Sequence, residues 1–569
     1  MKILGISPEV FIASAVLIED GEIVVASPEE RFDRVKMSNG FPVRSMQYCL
    51  DEANCTLEDL DAIAIAWNPG AHLRFPNRRM IESVRWRGEM LAMIPGMLQR
   101  MDGGQHEMVG IEQTLHYDNK CDTQIMFINH HDCHAASTFY LSPFNKAAIL
   151  TVDGRGERKT STWSKGEGHT IEELQAVELP HSLGIYYSAL TQFLGFTPHT
   201  DEWKVMALAA LGNPDSEYGP KLRGLLTTMP QGKFEMDLSY FDHYLFDQQP
   251  TLYSAKMEEL LGISRKRGEP IEQRHYDIAL ALQNTFEEIF SHMLHGLHEL
   301  IGETNLCLAG GAAMNSVYNG KIPSATPFKN VFIPSCPDDT GVALGAALTA
   351  YHKLGGTNRV PQTHNYWGPS YTNEEIEKVF AMCKVTAEKT DDPCGLAAKL
   401  LVEGKLVAWF QGKMEFGQRA LGNRSILADP RKAETKDIIN AAVKFREAFR
   451  PFAPSILEEN VQEFFDIPDG TDVPFMERVY LIKEEKRDEI PAVVHYDGTG
   501  RLQTVSKQTN PRYHQLISEF KKLTGTPIVL NTSFNINGEP IVCSPTDAVR
   551  CFFTTGLDVL IIGDYVLYK

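Results

Sequence analysis

At 569 residues the chain is too long for one hydrophobic core and is expected to divide into two or three domains. Its 43% hydrophobic and 23% charged residues are those of a soluble globular protein, and its net charge of −19 speaks against nucleic-acid binding, which needs a broad basic surface to displace counterions from phosphates. The opening residues lack a signal peptide's apolar stretch, no run of about 18 apolar residues occurs, and the ten cysteines form no Cys-x-x-Cys pair; a cytoplasmic protein that avoids membranes and keeps its thiols reduced is implied.

Residues 2–6 and 13–18, a turn at Asp20-Gly21 and a run over 22–26 alternate as a β-hairpin does, and such an N-terminal strand-turn-strand can hold a phosphate. Helical spacing over 42–53 and a short apolar strand over 61–67 continue as a βα alternation. Residues 68–122, with Trp86 and several arginines and methionines, read as an insertion expected to line an acceptor pocket together with Trp67. The alternation resumes with a strand over 125–128, a helix through His130-His131-Asp132-Cys133-His134, and an apolar strand over 147–152 that stops at Asp153. Apolar residues three and four apart over 278–301 predict a long helix before a strand that ends at Gly310-Gly311. The glycines and prolines of 353–369 mark a linker, giving domains over 1–355 and 370–569 joined by 356–369. The second domain opens with a helix over 395–403 and a strand over 406–410, carries most of the dense basic motifs, and has a strand over 528–530. The class is α/β, with no internal repeat of fixed period.

Residues four apart on a helix share a face, so His130 and His134 can offer two imidazoles to one point, and Asp153 at a strand end can add a carboxylate. Two nitrogens with carboxylate oxygen suit iron, zinc or manganese better than calcium. A His-x-x-x-His pair by itself is as often ordinary helix surface or core, and it is Asp153 that tips the balance. His131 points to another side and reads as structural. In Asp153-Gly154-Arg155-Gly156-Glu157 the glycines would let backbone amides approach a phosphate, and Gly310, Gly311 and Asn315, ahead of a helix, repeat that logic. A plain glycine turn explains either element taken alone. Three such elements in order resemble the layout of the actin-like ATPase superfamily, and Asp339, from Asp338-Asp339-Thr340-Gly341, would then close the metal site. In the second half Arg419, between Gly417 and Gly422, and Arg450, before Pro451-Phe452-Ala453-Pro454, sit in stiff settings. With Lys444 and Arg501 they could be solvated surface charges, or could hold a phosphate or carbamoyl anion, with Asn531 and Ser533 as neutral partners.

These residues, with Lys204-Val205-Met206, Phe416-Gly417-Gln418-Arg419-Ala420-Leu421-Gly422-Asn423-Arg424-Ser425 and the stretch over 530–542, resemble the NodU/CmcH-type carbamoyltransferases of antibiotic, nodulation-factor and toxin biosynthesis along the whole chain. The resemblance implies an N-terminal actin-like (ASKHA) domain similar to the tRNA threonylcarbamoyl transferase and a C-terminal α/β domain similar to threonylcarbamoyl-adenylate synthase (YrdC). It implies that carbamoyl phosphate and ATP with Mg2+ give carbamoyl-adenylate at Arg419, Lys444, Arg450, Arg501, Asn531 and Ser533. It further implies that a divalent metal, iron by family habit, held by His130, His134, Asp153 and Asp339 serves transfer to a small-molecule acceptor. Gly154, Gly156, Lys204, Gly310, Gly311 and Asn315 would face the nucleotide. Because such an anhydride hydrolyses readily, a closed passage would be expected. The family usually places His-Asp after the first strand, where this chain has Phe11-Ile12, and Pro where Gln418 stands. Three hypotheses cover the missing base: Asp201 or Glu202 takes the role, the acceptor is an amine, or the transfer step is lost. Two other functions compete: a tRNA threonylcarbamoyl-transferase-like enzyme, which the acidic balance opposes, and a non-catalytic actin-like nucleotide-binding protein, which would not need the basic second half.

Overall fold

In the computed structural model the described residues are 1–8, 12–68, 123–244, 251–444 and 449–569, so Phe11 and all but the first residue of the 68–122 insertion lie outside them. The chain forms two compact units: Met1–Glu29, Met37–Met314 and Lys321–Gln362 make the first, and Glu30–Lys36, Asn315–Gly320 and Thr363–Lys569 the second. Two short segments from the first 320 residues thus belong to the second unit.

The first unit holds two five-stranded sheets. One comprises β1 (Lys2–Ser7), β2 (Ser14–Glu19), β3 (Glu22–Pro28), β4 (Ala62–Ile65) and β5 (Gln124–Phe127), in the order β3-β2-β1-β4-β5. The β2–β3 turn takes both Asp20 (φ 49°) and Gly21 (φ 86°) into the left-handed region that a two-residue hairpin turn demands. The other sheet comprises β6 (Lys146–Val152), β7 (Lys159–Glu167) and β8 (Thr170–Glu178), then, beyond a small hairpin of β9 (Leu226–Thr228) and β10 (Phe234–Met236), β11 (Asn305–Ala309) and β12 (Asn330–Phe332). Its order is β12-β11-β6-β7-β8. In both sheets the first three strands pair antiparallel and the last two add parallel beside the first, so one topology occurs twice. This duplication is topological and leaves no repeat in the sequence.

Two helices stand between these sheets. Val342–Lys353 is apolar and buried nearly all round, as a helix enclosed by protein must be. It lies so close to β1 that a Cβ on Gly5 would come within 2.0 Å of the Ala343 carbonyl oxygen. The histidine helix, His130–Phe139, packs on the second sheet, where a Cβ on Gly166 of β7 would strike the Phe139 ring at 2.5 Å. The 29-residue helix Gln273–Ile301 covers that sheet's other face, and its Met293 carbonyl accepts the indole N–H of Trp163 at 3.0 Å.

The second unit is built on a mixed eight-stranded sheet. Its strands are β13 (Glu388–Lys389), β14 (Val407–Phe410), β15 (Arg424–Ala428), β16 (Ala453–Leu457), β19 (Gln503–Val505), β20 (Ile528–Ser533), β21 (Val559–Ile562) and β22 (Tyr565–Tyr568), with β17 (Val479–Leu481) and β18 (Thr499–Arg501) forming a separate hairpin. The order is β13-β22-β21-β14-β15-β20-β16-β19. Helices Pro393–Val402 and Pro511–Thr524 bury one face with Trp409, Leu427 and Val529. The segment Glu30–Lys36 is tied into this unit by Arg31, which donates to the Gly417 carbonyl at 2.7 Å, and by Arg34, which donates to the Ile541 and Pro540 carbonyls at 2.7 and 2.9 Å.

Candidate functional site

His130 and His134 lie one helical turn apart on the face of the histidine helix that meets the end of β6 and the approach to helix Val342–Lys353. Gly345 permits the meeting, since a Cβ there would stand 1.8 Å from the carbonyl oxygen of Cys133, between the two histidines. That contact brings Asp339, just ahead of helix Val342–Lys353, opposite them. The His130 and His134 Nε2 atoms are 3.0 Å apart; His130 Nε2 is 3.0 Å from Asp153 Oδ2 and 3.3 Å from Asp339 Oδ1. His134 Nε2 is 3.7 Å from Asp153 Oδ2 and 3.3 Å from Asp339 Oδ1. All four residues are buried, and their four donor atoms lie within 4.8 Å of one another.

The set fits a divalent ion. Four ligands at bonds of about 2.1 Å form a tetrahedron with edges of about 3.4 Å, near the separations here. Asp339 Oδ1 is buried without a hydrogen-bond partner among the described residues, which is costly unless a cation or proton faces it. Burial alone would lower the His130 and His134 pKa values, but the two carboxylates outweigh it and hold both above the ordinary imidazole value, His130 strongly so. Burial would likewise raise Asp153, yet the imidazoles hold it well below the usual carboxylate range. Such a site attracts either protons or a metal.

The ligands are held by residues that a reading of short motifs passes over. Gly311 N–H donates to Asp153 Oδ1 at 2.8 Å, so that Oδ2 turns to the histidines; a Cβ on Gly310 would lie 2.2 Å from the Val152 carbonyl oxygen. The buried Glu157 accepts the His130 N–H at 3.0 Å and the Asn68 N–H at 2.8 Å through Oε1, anchoring the first turn of the histidine helix. Glu157 stood in view beside Gly156, but nothing local marks it as a cap for a helix 27 residues earlier. Gly156 itself is required by packing: a Cβ would lie 2.9 Å from the His131 ring. His131 donates from Nε2 to the Lys159 carbonyl at 2.9 Å and accepts at Nδ1 from Thr151 Oγ1 at 2.7 Å, and burial keeps it neutral. Its role is structural.

The other residues expected to meet a nucleotide have local partners. Lys204 pairs with Asp201 at 2.7 Å, and Asn315, in the second unit, caps helix Ser316–Ala325 by accepting the Tyr318 N–H at 3.1 Å. At Gly154, by contrast, nothing lies within 4 Å of a Cβ position. Of the two carboxylates considered as bases, Asp201 is held by Lys204 and the Thr197 N–H, and Glu202 Oε1 accepts Ser188 Oγ–H and the His199 N–H, each at 2.6 Å.

In the second unit Lys444 is buried, and its ammonium donates to the Ser533 carbonyl (2.6 Å), the Asn535 carbonyl (2.9 Å) and Asn535 Oδ1 (2.8 Å). Asn531 donates to the Ala420 carbonyl, Ser455 Oγ and Gln503 Oε1 at 3.0–3.2 Å, which ties β20 to the loop carrying Arg419. Arg450 is buried, and Arg419 and Arg501 are partly buried, the latter on β18. The loop is shaped by the buried Glu415, whose Oε1 accepts the N–H groups of Leu421 (2.7 Å) and Asn423 (2.8 Å), and by Gly417 (φ 127°) and Gly422 (φ 107°). Glu415 and Asn535 carried no sequence signal beyond their nearness to the basic motif and to Ser533.

Residues 2–348 match the family described as Carbamoyltransferase N-terminus, and residues 398–569 the family described as Carbamoyltransferase C-terminus. The chain is 38% identical over 564 residues to Nodulation protein NolNO of Sinorhizobium fredii (strain NBRC 101917 / NGR234), covering 98% of this chain and 78% of that protein. It is 41% identical over 449 residues to Nodulation protein NolO of Bradyrhizobium diazoefficiens, covering 78% of this chain and 79% of that protein. Among solved structures, T. kodakarensis HypF is similar at 14% identity and a TM-score of 0.33, over 63% of this chain and 48% of that one.

Proposed function

The chain belongs to the carbamoyltransferase family and is a carbamoyltransferase; from that premise we propose that it moves the carbamoyl group of carbamoyl phosphate, through a carbamoyl-adenylate formed from ATP, to a hydroxyl or amine of a small natural product. The observation that carries this reading is the convergence of His130, His134, Asp153 and Asp339 within 4.8 Å in a buried site of the first unit. Iron, zinc or manganese bound there would supply a Lewis acid that orients and neutralises phosphate oxygen. The repeated sheet topology supports an actin-like first unit, and the open flank of Gly154 supports phosphate approach at the β6–β7 turn, with Gly156, Lys204, Gly310 and Gly311 of the same unit as its frame.

The second unit we read as the adenylate-forming, synthase-like domain. Buried Lys444 is fixed by the Ser533 and Asn535 carbonyls and Asn535 Oδ1, a placed cation that we assign to the anionic groups of the adenylate. Arg419, Arg450 and Arg501 can fork onto phosphate and carboxylate oxygens, and Asn531 and Ser533 fix the strand that holds Lys444.

Pyrophosphate exchange into ATP tests the reading. Exchange that depends on carbamoyl phosphate is expected from the full chain with Mg2+ and is to vanish in Lys444→Met. A folded protein that exchanges without carbamoyl phosphate, or not at all, would rule out the adenylate route.

A further inference from the structure

Adenylate formation of the kind read above needs Arg419 and Arg501 held in register with the anion, because a guanidinium forks onto phosphate oxygens only when the backbone that carries it is fixed. Neither residue stands on the eight-stranded sheet. Arg419 lies on a loop between Gly417 and Gly422, both at positive φ, and Arg501 ends β18, which pairs with β17 in a separate two-stranded hairpin. Glycine-rich loops and two-stranded hairpins are weakly stable unless something packs against them.

In this chain the packing comes from the two early segments of the second unit, one for each arginine. Asn531 and Glu415 hold the loop after Arg419, at Ala420, Leu421 and Asn423, and Asn365 Nδ2 holds the Phe416 carbonyl before it at 3.1 Å. Between these anchors the Gly417 carbonyl, two residues ahead of Arg419, accepts from Arg31 at 2.7 Å. Arg31 is 2% exposed and has Glu30 as its counter-ion. A buried guanidinium is costly unless it is paired and hydrogen-bonded, and here one of its hydrogen bonds goes to the backbone of the Arg419 loop. Next to it, Phe32 packs on a cluster that contains Met414 and Ala420, so its ring braces the loop on both sides of Arg419. Arg34 fastens the far end of the segment to the Ile541 and Pro540 carbonyls. The segment Asn315–Gly320 meets the other arginine's element in the same way. Asn319 Nδ2 donates to the Glu477 carbonyl at 2.9 Å, and Gly320 lies so near β17 that a Cβ would stand 2.0 Å from the Val479 carbonyl oxygen. Val479 is the residue that β17 pairs with Arg501.

We propose that these two segments are positioning elements of the adenylate-forming site: Glu30–Lys36, through Arg31 and Phe32, sets Arg419, and Asn315–Gly320, through Asn319 and Gly320, sets Arg501. This rests on the carbamoyl-adenylate reading above. Neither segment supplies an atom to the reaction; each acts through the backbone that carries its arginine. Residues 363–569 then hold the anion-binding side chains but need chain from the first 320 residues to aim two of them.

The test uses the full chain and two readouts: carbamoyl-phosphate-dependent pyrophosphate exchange, and backbone deuterium uptake followed peptide by peptide. Arg31→Ala is expected to speed uptake about tenfold over 416–423 and to leave 479–481 and 499–501 unchanged; Asn319→Ala should do the reverse. Uptake over β14, β15 and β20 should stay as it is in both, which a general loss of stability would not allow. Pyrophosphate exchange should fall about tenfold to a hundredfold in each variant, with zinc affinity at the site in the first unit unchanged. Should Arg31→Ala fail to fold, as lost zinc binding would show, Phe32→Ala removes the ring contact, leaves the buried charge paired and carries the same expectation. Uptake that rises across the whole sheet, or pyrophosphate exchange undiminished in either variant, overturns the assignment. Missing pyrophosphate exchange in the unsubstituted chain would instead bring down the adenylate reading, and the deuterium pattern would then decide the positioning by itself.

Discussion

Gly345→Ala tests whether the metal site is set by a helix crossing rather than by its ligands alone. A Cβ at Gly345 would stand 1.8 Å from the Cys133 carbonyl oxygen, 2.6 Å from its carbonyl carbon and 2.9 Å from its Cα. All three are backbone atoms, so no side-chain rotation relieves the clash, and an ordinary 3.4 Å contact requires the two helices to part by about 1.6 Å. Asp339 precedes one helix, and the two histidines flank Cys133 on the other, so the opening falls across the Asp339 contacts, now both 3.3 Å. Metal bonds tolerate roughly 0.2 Å of misplacement. The expected result is a loss of zinc affinity of about tenfold to a hundredfold, with a destabilisation of about 1–3 kcal/mol from overpacking. Calorimetric zinc titration and thermal unfolding read the two effects. Gly154→Ala, at a position with nothing within 4 Å of the added methyl group, should change neither. A Gly345→Ala protein that melts lower yet binds zinc as tightly as before would refute the argument.

Metal binding should strengthen as pH rises, because Asp339 and Asp153 overcome burial and hold protons on His130 and His134 above the ordinary imidazole value, and these protons must leave first. For the metal-free protein the sign is opposite: raised imidazoles stabilise the fold fully below about pH 6.5 and lose that contribution as pH climbs through their folded values, so its melting temperature should fall over that window and zinc should cancel the fall. A metal-free melting temperature that rises there would contradict it. Glu157→Ala leaves the buried His130 amide without this acceptor, at about 1–3 kcal/mol, and removes the acceptor of the half-buried Asn68 amide, whereas Glu157→Gln keeps an acceptor oxygen; equal melting temperatures for the two variants would count against the anchoring role. Glu415→Ala frees the amides of Leu421 and Asn423 that shape the Arg419 loop, and exchange should drop about a hundredfold with zinc affinity unchanged.

The strands over 2–28, the histidine helix, the long helix ending at Ile301 and the strand opening the second half were all legible, because each has a local signal: a buried apolar run, a turn residue or a helical period. The two ligands from the histidine helix were legible for the same reason, being one turn apart. Asp339 was reached only by analogy with a layout, and its position depends on Gly345, whose importance arises from a neighbour more than 200 residues away. The placement of Glu30–Lys36 and Asn315–Gly320 in the second unit was equally hidden, since Arg31 and Arg34 look like surface charges until their carbonyl acceptors are known. Asp201 and Glu202 were singled out as carboxylates near a motif; the hydrogen bonds that occupy them involve Lys204, Ser188 and a left-handed His199, and backbone sign is not written in residue type.

The doubled sheet explains why the metal ligands are distributed as they are. β6 stands in its sheet where β1 stands in the other, and the strand next in sequence pairs antiparallel with each. After β6 the connecting stretch begins with Asp153 and goes on through Gly154 and Gly156 to Glu157; after β1 the equivalent stretch begins with Pro8 and contains no histidine or aspartate. The two copies of one topology thus differ in chemistry, and of the two it is the stretch after β6 that supplies the metal-ligating aspartate. The histidine helix packs on that same sheet, so three of the four ligands move as one body and only Asp339 arrives from another element. A site built this way can be weakened at the Asp339 side without disturbing the other three ligands. Substitutions that shift helix Val342–Lys353 should therefore reduce metal affinity while the two histidines and Asp153 keep their mutual distances, whereas substitutions at Glu157 should disturb the histidine helix and its ligands together.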